Sequence, residues 1–300
     1  MIEQFISFVN ENKLGNIITN SSFKELTTIK IGGKIKCLYM PNNIYQLSKA
    51  YKYIIKYNIK FMVIGNGSNV LASDNIYEGI IIKLSQLNNI KQINDLEFKV
   101  EAGVNSTKLA LELANKGYTN YEFISTIPGT IGGMICMNAG AYGKEIKDII
   151  KQVTYLDEVG NLKTKDINQI KTGYRISEFN NNNIIVSSII KVEHSTNPLL
   201  PFEKIKTYKQ LRKLNQPVGC LTAGSTFKNI SNKKTWELIE SVGLRGYQIN
   251  GAIVSNKHAN FLINYHNASF NDMEELIKII KDKVFKEYNI ILECEWVIVK

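Results

Sequence analysis

The sequence is poor in the patterns that build metal sites, disulfide frameworks and membrane spans. Its 300 residues include four cysteines (Cys37, Cys136, Cys220 and Cys294), which lie far apart and form no C-x-x-C pair. This spacing argues against a zinc site and against a disulfide framework, and it fits a reducing compartment, so we expect no metal and a cytoplasmic protein. No apolar run approaches the roughly 18–20 residues of a membrane helix, so we expect no membrane insertion.

The amino terminus lacks the basic region that opens a signal peptide. Its apolar residues Ile2, Phe5, Ile6 and Val9 recur at helical spacing. This periodicity predicts an amphipathic helix instead.

The chain also lacks the clustered basic residues of a nucleic-acid-binding surface. Its formal net charge is +10, but lysines are spread along the sequence and no Lys/Arg block or aromatic-interleaved basic stripe occurs. The 44% hydrophobic and 21% charged residues are typical of a globular protein. We interpret the charge as composition bias with some attraction for anionic small molecules, and we expect no nucleic-acid partner.

Glycine is concentrated in one stretch, residues 125–143, where five of nineteen residues are glycine. Pro128 fixes φ and allows Gly129 to take a positive φ, which predicts a tight turn. The glycines lack side chains, so backbone N–H groups there can approach phosphate oxygens of a large, flat ligand with a phosphate tail. Close packing of a helix on a sheet explains the same glycines, and the residues alone leave both interpretations open.

A second glycine loop follows a short apolar strand predicted over residues 61–64. The loop reads Gly-Asn-Gly-Ser-Asn over residues 65–69. It lacks the Gly-Lys-Ser/Thr ending of a Walker loop and the third glycine of the dinucleotide fingerprint. It is a candidate phosphate loop, with an ordinary strand-to-turn junction as the alternative.

Three polar side chains stand out as candidates for chemistry. Arg175 lies in a polar, aromatic segment and fits either a bidentate carboxylate clamp or a surface salt bridge. Ser225 lacks a Gly-x-Ser-x-Gly context and an Asp-His partner pattern, which leaves proton donation with help from neighbours. Glu295 lies in an apolar segment, where a buried carboxylate is costly unless it is paired or used. The alternative is that Glu293 and Glu295, which share one face of an alternating strand, form a polar face.

Three further segments give predictions of local structure. Residues 27–31 and residues 290–299 are predicted as strands, the second strand carrying both glutamates. Asn271 and Glu274 have the spacing of a capping box, which predicts a helix that begins there and continues to about residue 288.

Eight ordered motifs together resemble one family, the UDP-N-acetylenolpyruvoylglucosamine reductases (MurB), over nearly the whole chain. In sequence order they are Thr27-Thr28-x-x-Ile31-Gly32-Gly33, Ile64-Gly65-Asn66-Gly67-Ser68-Asn69, Ile127-Pro128-Gly129-Thr130-Ile131-Gly132-Gly133, Met137-Asn138-Ala139-Gly140-Ala141-Tyr142-Gly143, Tyr174-Arg175-x-Ser177, Ala223-Gly224-Ser225-x-Phe227-Lys228-Asn229, Lys257-His258-Ala259-Asn260-Phe261 and Leu292-Glu293-x-Glu295.

The resemblance implies an α+β fold: a two-lobed FAD-binding domain of the vanillyl-alcohol-oxidase (PCMH) type, followed by a smaller α+β substrate-binding domain. We expect the first domain over residues 1–195, with lobes of about 1–60 and 61–195, and the second over 196–300. The segment 193–201, with two prolines, is the predicted boundary. The FAD would be non-covalent, because no histidine falls in the glycine loops. The implied FAD contacts are Gly65, Asn66, Gly67, Ser68, Asn69, Pro128, Gly129, Thr130, Gly132, Gly133, Asn138, Ala139 and Gly140.

The resemblance also implies a reaction in peptidoglycan precursor and cell-wall synthesis. In this family NADPH reduces FAD, and the enolpyruvyl ether of UDP-N-acetylglucosamine then receives a hydride at its β-carbon and a proton at its α-carbon. Carried over by motif, Arg175 would bind the carboxylate, Ser225 would deliver the proton and Glu295 would lie near the same carboxyl group. The implied substrate contacts are Tyr174, Asn229 and His258.

The sequence departs from the family pattern in two motifs and in the length of one segment. Ile230 replaces the usual proline after Lys-Asn, and Cys294 and Trp296-Val297-Ile298 replace Pro and Val-Arg around Glu295. The distance between Tyr174 and Ser225 leaves no room for a long substrate-capping loop, so the chain resembles the shorter of the family's two subtypes.

Two other functions compete with this expectation. A related FAD oxidase that uses oxygen would share the glycine loops, although Arg175, Ser225 and Glu295 together speak against it. A non-catalytic, RNA-associated binding protein would share the basic charge. A flavin absorbance band in the purified protein would dismiss the binding protein, and an assay for peroxide would detect the oxidase.

Overall fold

The computed structural model describes residues 1–179, 182–230 and 233–300. Within them the α-helices are α1 Ile2–Glu11, α2 Phe23–Leu26, α3 Ile44–Lys56, α4 Ser106–Asn115, α5 Ile131–Cys136, α6 Leu200–Asn215, α7 Thr235–Ser241 and α8 Phe270–Tyr288. Short 3₁₀ turns occur at Glu122–Thr126, Ile146–Asp148 and Ile167–Gln169. None of the described helices is long and apolar enough to cross a bilayer.

Most of the strands in the described residues are short. They are β1 Asn16–Ile18, β2 Ser21–Ser22, β3 Lys34–Met40, β4 Phe61–Ile64, β5 Val70–Ala72, β6 Tyr77–Lys83, β7 Ile90–Asn94, β8 Glu97–Glu101, β9 Tyr118–Thr119, β10 Gly140–Ala141, β11 Lys144–Glu145, β12 Ile150–Leu156, β13 Leu162–Asp166, β14 Thr172–Gly173, β15 Ile176–Ser177, β16 Ile184–Lys191, β17 Glu193–His194, β18 Gln248–Ile249, β19 Ala252–Val254, β20 Leu262–Asn264 and β21 Val297–Val299.

The chain forms two compact units, each discontinuous in sequence. Unit 1 comprises Met1–Asn20, Lys36–Asn66 and Glu78–Gln210, and unit 2 comprises Ser21–Ile35, Gly67–Tyr77 and Leu211–Lys300. The sequence predicts a contiguous division at residue 195 instead. The difference arises because early segments pair with late ones: β21 pairs in parallel with β5, and the Thr28 hydroxyl donates to the Thr222 carbonyl at 2.7 Å.

Two sheets organise unit 1. The first has the strand order β1-β3-β6-β4, in which β4 and β6 run parallel. The second has the order β13-β12-β16-β8-β7, with antiparallel neighbours throughout. Helix α5 contacts β8 and β16, so the predicted glycine stretch lies on this second sheet.

Unit 2 combines a three-stranded antiparallel sheet, β18-β19-β20, with helices α7 and α8. Helix α8 buries one apolar face, which includes Met273, Leu276 and Ile280 at intervals of three and four residues. Its first turn is capped by Ser269 and Asp272 rather than by the predicted Asn271 and Glu274, so the cap lies two residues earlier than predicted.

Local sequence signals explain most of the remaining elements. The amphipathic pattern of the amino terminus forms α1, as predicted, with Phe5 and Val9 buried. The predicted strand over 27–31 is wrong, because this segment is a turn in which the buried Thr27 hydroxyl donates to the Ile31 carbonyl at 3.3 Å. The predicted α+β class is confirmed by the mixture of helices and largely antiparallel sheets.

Candidate active site

The glycine stretch forms a turn and the short helix α5. Thr130 caps this helix, its hydroxyl accepting from the Gly133 N–H at 3.4 Å. The N–H groups of Ile131 and Gly132 donate to the carbonyls of Val104 and Ala102, both at 2.9 Å. A Cβ at Gly132 would lie 2.9 Å from the Ala102 Cβ, so Gly132 permits close packing of α5 on the edge of the sheet. The sequence left open whether these glycines serve ligand binding or the packing of a helix on a sheet. At Gly132 the structure shows helix packing.

The two predicted glycine loops meet within unit 1. A Cβ at Gly65 would lie 2.5 Å from the Thr130 hydroxyl oxygen, so no side chain fits at position 65 without displacement of Thr130. The N–H groups of Asn66 and Gly129 have no acceptor among the residues that the structure describes. Two loops 64 residues apart therefore converge and present unsatisfied backbone donors, as an anion-binding turn requires.

The residues around these loops fit an FAD. Ser125 lies at the start of the glycine stretch, is 4% exposed, and its hydroxyl finds no partner among the described residues. A buried hydroxyl without a partner is costly, and a polar ligand atom beside it removes that cost. Bare backbone donors, glycines that exclude side chains and this hydroxyl are the groups that a dinucleotide cofactor uses. Sequence analysis did not predict Ser125 as a cofactor contact. The signal that could have identified it is its position at the start of the glycine-rich stretch 125–143.

In unit 2 the second half of the 65–69 loop contacts residues 26–28 and the segment that carries Glu295. Gly67 has a φ of +61°, and a Cβ there would lie 2.2 Å from the Leu26 carbonyl oxygen. The Gly67 carbonyl accepts from the Thr28 N–H at 3.1 Å, which gives the Thr27-Thr28 motif its role. The Asn69 amide donates to the Glu295 carbonyl at 3.0 Å. The loop and the segment that carries Glu295 therefore hold one another in place.

Arg175 lies at the tip of a two-residue hairpin between β14 and β15 in unit 1. Its φ is +57°, a left-handed conformation that costs a side-chain-bearing residue about 1–2 kcal/mol. Its guanidinium donates to the Gly140 carbonyl at 3.0 Å and lies 4.8 Å from the centre of the Tyr174 ring. Strain at a charged residue is typical of a functional position, since glycine would be the less costly residue there.

Two further contacts fasten this hairpin to the end of the glycine stretch. The Ser177 hydroxyl donates to the Cys136 carbonyl at 2.8 Å, and the Asn138 amide donates to the Gly173 carbonyl at 2.9 Å. Asn138 is fully buried. The order Tyr-Arg-x-Ser thus places a guanidinium beside the predicted cofactor loop, and its serine anchors the base of the hairpin.

Ser225 and Glu295 lie on neighbouring extended segments of unit 2. Gly224, with a φ of +82°, turns the chain into the segment that carries Ser225. The Glu295 N–H donates to the Thr226 carbonyl at 2.8 Å, and the Trp296 indole donates to the Gly224 carbonyl at 3.3 Å. Ser225 and Glu295 are both partly exposed. The structure therefore holds a hydroxyl and a carboxylate on adjacent backbones.

The segment around Glu295 differs from its predicted structure. Only Val297–Val299 forms a strand, whereas a strand was predicted over 290–299. Cys294 forms an isolated bridge with Phe227, and its thiol donates to the Thr226 carbonyl at 3.3 Å. Glu293 is exposed and pairs with Lys228 at 2.5 Å, which makes it the surface member of the two glutamates.

His258 and Asn229, the predicted substrate contacts in unit 2, are both held in defined orientations. The His258 Nδ1 accepts from the Asn260 N–H at 3.3 Å, which assigns the ring proton to Nε2. Burial is the main cause that lowers the pKa of His258, so the ring is neutral at pH 7 and is a hydrogen-bond donor at Nε2. The Asn229 carbonyl oxygen accepts from the Thr235 N–H at 3.2 Å, at the start of α7.

The described residues show no group of three or more His, Cys, Asp or Glu side chains arranged to hold a metal ion. All four cysteines are free.

Comparisons with known proteins agree on one family. Residues 216–299 match the model of the UDP-N-acetylenolpyruvoylglucosamine reductase C-terminal domain, and residues 35–165 match that of an FAD binding domain. The chain is 38% identical over 282 residues to the UDP-N-acetylenolpyruvoylglucosamine reductase of Carboxydothermus hydrogenoformans, covering 93% of this chain and 92% of the relative. It is 39% identical over 288 residues to that of Orientia tsutsugamushi strain Ikeda, covering 94% and 93%.

A solved structure gives the same result for the fold. The crystal structure of UDP-N-acetylenolpyruvylglucosamine reductase (MurB) from Thermus caldophilus matches with a TM-score of 0.80 and 26% identity, over 95% of this chain and 98% of that one. The predicted fold class, the oxidoreductase activity (EC 1.3.1.98), the use of FAD and NADPH, and the role in peptidoglycan precursor synthesis are confirmed at the level of the family. With its two glycine loops and with relatives aligned over nearly its whole length, this chain belongs to the UDP-N-acetylenolpyruvoylglucosamine reductase family.

Proposed function

We propose that this chain converts UDP-N-acetyl-3-O-(1-carboxyvinyl)glucosamine to UDP-N-acetylmuramate, with NADPH as the hydride donor and Ser225 as the proton donor. The observation that carries the Ser225 assignment is the backbone pairing in unit 2, where Glu295 N–H donates to the Thr226 carbonyl one residue after Ser225. The free cysteines fit a reducing cytoplasm as the site of the reaction.

The proposed cofactor contacts are the backbones of the two glycine loops. In unit 1 these are Gly65 and Asn66, and the segment from Pro128 to Thr130, with Ser125 added by the structure. Bound FAD supplies the hydride chemistry, since a flavin accepts a hydride from a nicotinamide and can return it to an electron-poor carbon. The glycines at 132 and 133 support α5, and Ala139 and Gly140 lead into β10 beside Arg175.

Arg175 is proposed to hold the carboxylate of the enolpyruvyl group. Hydride addition at the β-carbon leaves negative charge at the α-carbon, which delocalises into that carboxylate. A guanidinium fixed before the reaction stabilises this developing charge without reorganisation. The Gly140 carbonyl and the Tyr174 ring hold the guanidinium in one orientation, and Tyr174 is proposed as a substrate contact in its own right.

Ser225 is proposed to pass its proton to the α-carbon, with Glu295 beside the carboxylate of the substrate. A free serine is too weak an acid for this step, so nearby groups must stabilise the oxygen anion that it leaves. The neutral His258, with its proton at Nε2, and Asn229 are proposed to donate hydrogen bonds to the UDP-sugar.

Replacing Arg175 with lysine tests the carboxylate assignment. Lysine keeps the positive charge but loses the planar two-donor fork. A charge-assisted hydrogen bond is worth about 1.5–3 kcal/mol, so reoxidation of the reduced enzyme by the UDP-sugar should slow by about 10–100-fold, while reduction by NADPH stays near normal. Stopped-flow absorbance measures the two half-reactions separately.

Arg175→Gly provides the comparison for this prediction. Glycine relieves the left-handed backbone strain at a φ of +57°, so this variant should unfold no more readily than the wild type and yet reoxidise as slowly as the lysine variant or more slowly. Equal slowing of both half-reactions in either variant would instead make Arg175 structural or part of the cofactor site.

A further inference from the structure

We propose that Glu145 is a positioning residue for Arg175, acting through the Asn138 side chain and the Gly140 backbone. The proposal rests on the proposed function, in which Arg175 holds the substrate carboxylate. All four residues lie in unit 1, and nothing in the motif analysis singled out Glu145.

The first connection runs through Asn138. The Asn138 Nδ2 group has two hydrogens, and it donates one to Glu145 Oε2 and the other to the Gly173 carbonyl, both at 2.9 Å. Gly173 is the last residue before the turn that carries Arg175. Asn138 is fully buried and has a φ of +40°, so it cannot move without breaking these bonds. Glu145 therefore fixes the amide that fixes the base of the Arg175 hairpin.

The second connection runs through Gly140. Gly140 pairs with Glu145 across the β10–β11 hairpin, and its carbonyl accepts from the Arg175 guanidinium at 3.0 Å. A Cβ at Gly140 would lie 2.4 Å from the Lys144 carbonyl oxygen and 3.0 Å from the Glu145 Cγ. The Glu145 stem thus packs against the residue whose carbonyl orients Arg175.

Charge adds to this geometry. The Glu145 side chain is 25% exposed and pairs with Lys147 at 2.7 Å. Burial opposes ionisation of Glu145, but hydrogen bonds from Lys147 and Asn138 and the charges of Lys147 and Arg175 outweigh burial and lower the pKa of the carboxyl. At neutral pH a carboxylate therefore lies within electrostatic range of the guanidinium and opposes its displacement.

The test is Glu145→Ala in the FAD-loaded protein. Alanine removes the oxygen that accepts from Asn138 and the stem that packs against Gly140, so both links to Arg175 are lost. Displacement of a catalytic group by about 1 Å can cost on the order of 100-fold, so reoxidation by the UDP-sugar should slow by about 10–100-fold. Glu145→Gln, which keeps the stem and an oxygen acceptor, should recover most of the lost rate. Reduction by NADPH should stay within a few-fold of the wild type.

Glu97→Ala is the matched control. Glu97 is also a partly buried carboxylate in unit 1, with a side chain 16% exposed, paired with a lysine (Lys151, 2.6 Å). Its loss should change the melting temperature about as much as the loss of Glu145 does, and it should change neither half-reaction.

A double variant separates positioning from general stabilisation. If Glu145 acts through Arg175, then Glu145→Ala should add little to the slowing already caused by Arg175→Lys. Full additivity of the two effects, or equal slowing of both half-reactions in the single variant, would overturn the proposal. A wild-type protein that the UDP-sugar fails to reoxidise would instead refute the proposed function, and this assignment with it.

Discussion

Replacing Ser225 with alanine should lower product formation by about 10²–10⁴-fold, the range that general-acid catalysis supplies. The substitution keeps the turn that begins at Gly224 and removes only the hydroxyl. Reduction of the flavin by NADPH should be near normal, because the proton is needed only after the hydride reaches the β-carbon. Stopped-flow reoxidation, with quantification of UDP-N-acetylmuramate, measures the loss.

Two further variants sharpen the Ser225 test. Thr226, the next residue, is fully buried, and its hydroxyl has no partner among the described residues. Thr226→Val should therefore leave the rate within a few-fold of the wild type. Ser225→Cys places a more acidic group at the same position and should recover part of the lost rate. Turnover of the alanine variant within a few-fold of the wild type would assign the proton to a water or to Glu295.

Replacing Gly67 with alanine should yield protein without bound flavin. A Cβ at this position would lie 2.2 Å from the Leu26 carbonyl oxygen, which is backbone and cannot swing aside. The loop must shift, and the backbone that would line the cofactor shifts with it. Flavin absorbance after acid precipitation measures the content, and in the wild type all flavin should appear in the supernatant, because the proposed attachment is non-covalent.

Gly243→Ala is the matched control for Gly67→Ala. Gly243 has a φ of +72°, close to the +61° of Gly67, but a Cβ there would meet nothing within 4 Å. Both variants carry the same left-handed strain of about 1–2 kcal/mol, so a difference between them reports the clash alone. Normal flavin content in Gly67→Ala would show that the 65–69 loop does not contact the cofactor.

The sequence predicted the elements that depend on local pattern. Helical spacing of apolar residues gave α1, and a short apolar run before a glycine loop gave β4 at Phe61–Ile64. For α1 and β4 the signal lies within a few consecutive residues, where backbone preference and burial act together. That the two glycine loops serve one site was implied by the family resemblance and not by a local pattern; in the structure Gly65 and Thr130 lie close together.

Features that depend on distant partners escaped the sequence. The apolar residues of 290–299 predict a strand, but a strand also needs a regular partner. The segment that faces Cys294 begins at the left-handed Gly224, and the Asn260 side chain takes both the N–H and the carbonyl of Phe227, so pairing is limited to isolated bridges. No local sequence pattern indicates that a side chain, rather than a neighbouring strand, bonds the backbone of Phe227.

The links to Arg175 are non-local in the same way. Asn138 reaches Gly173 across 35 residues, and the same amide reaches Glu145 across seven. The motif Asn-Ala-Gly-Ala-Tyr-Gly marked Asn138 as a cofactor contact, whereas both hydrogens of its side-chain amide are used within the protein. The side-chain oxygen accepts from the Lys147 N–H at 3.4 Å, and the backbone N–H donates to the Ile135 carbonyl at 3.1 Å. The proposed FAD contact at Asn138 is therefore restricted to its backbone carbonyl.

The most direct test of the account is an anaerobic two-step titration of the purified, flavin-loaded protein. Addition of NADPH should bleach the visible flavin band. Addition of UDP-N-acetyl-3-O-(1-carboxyvinyl)glucosamine should then restore the band and yield one UDP-N-acetylmuramate per flavin reoxidised. A band that returns only on admission of air, with formation of peroxide and no sugar product, would contradict the account and indicate an oxidase.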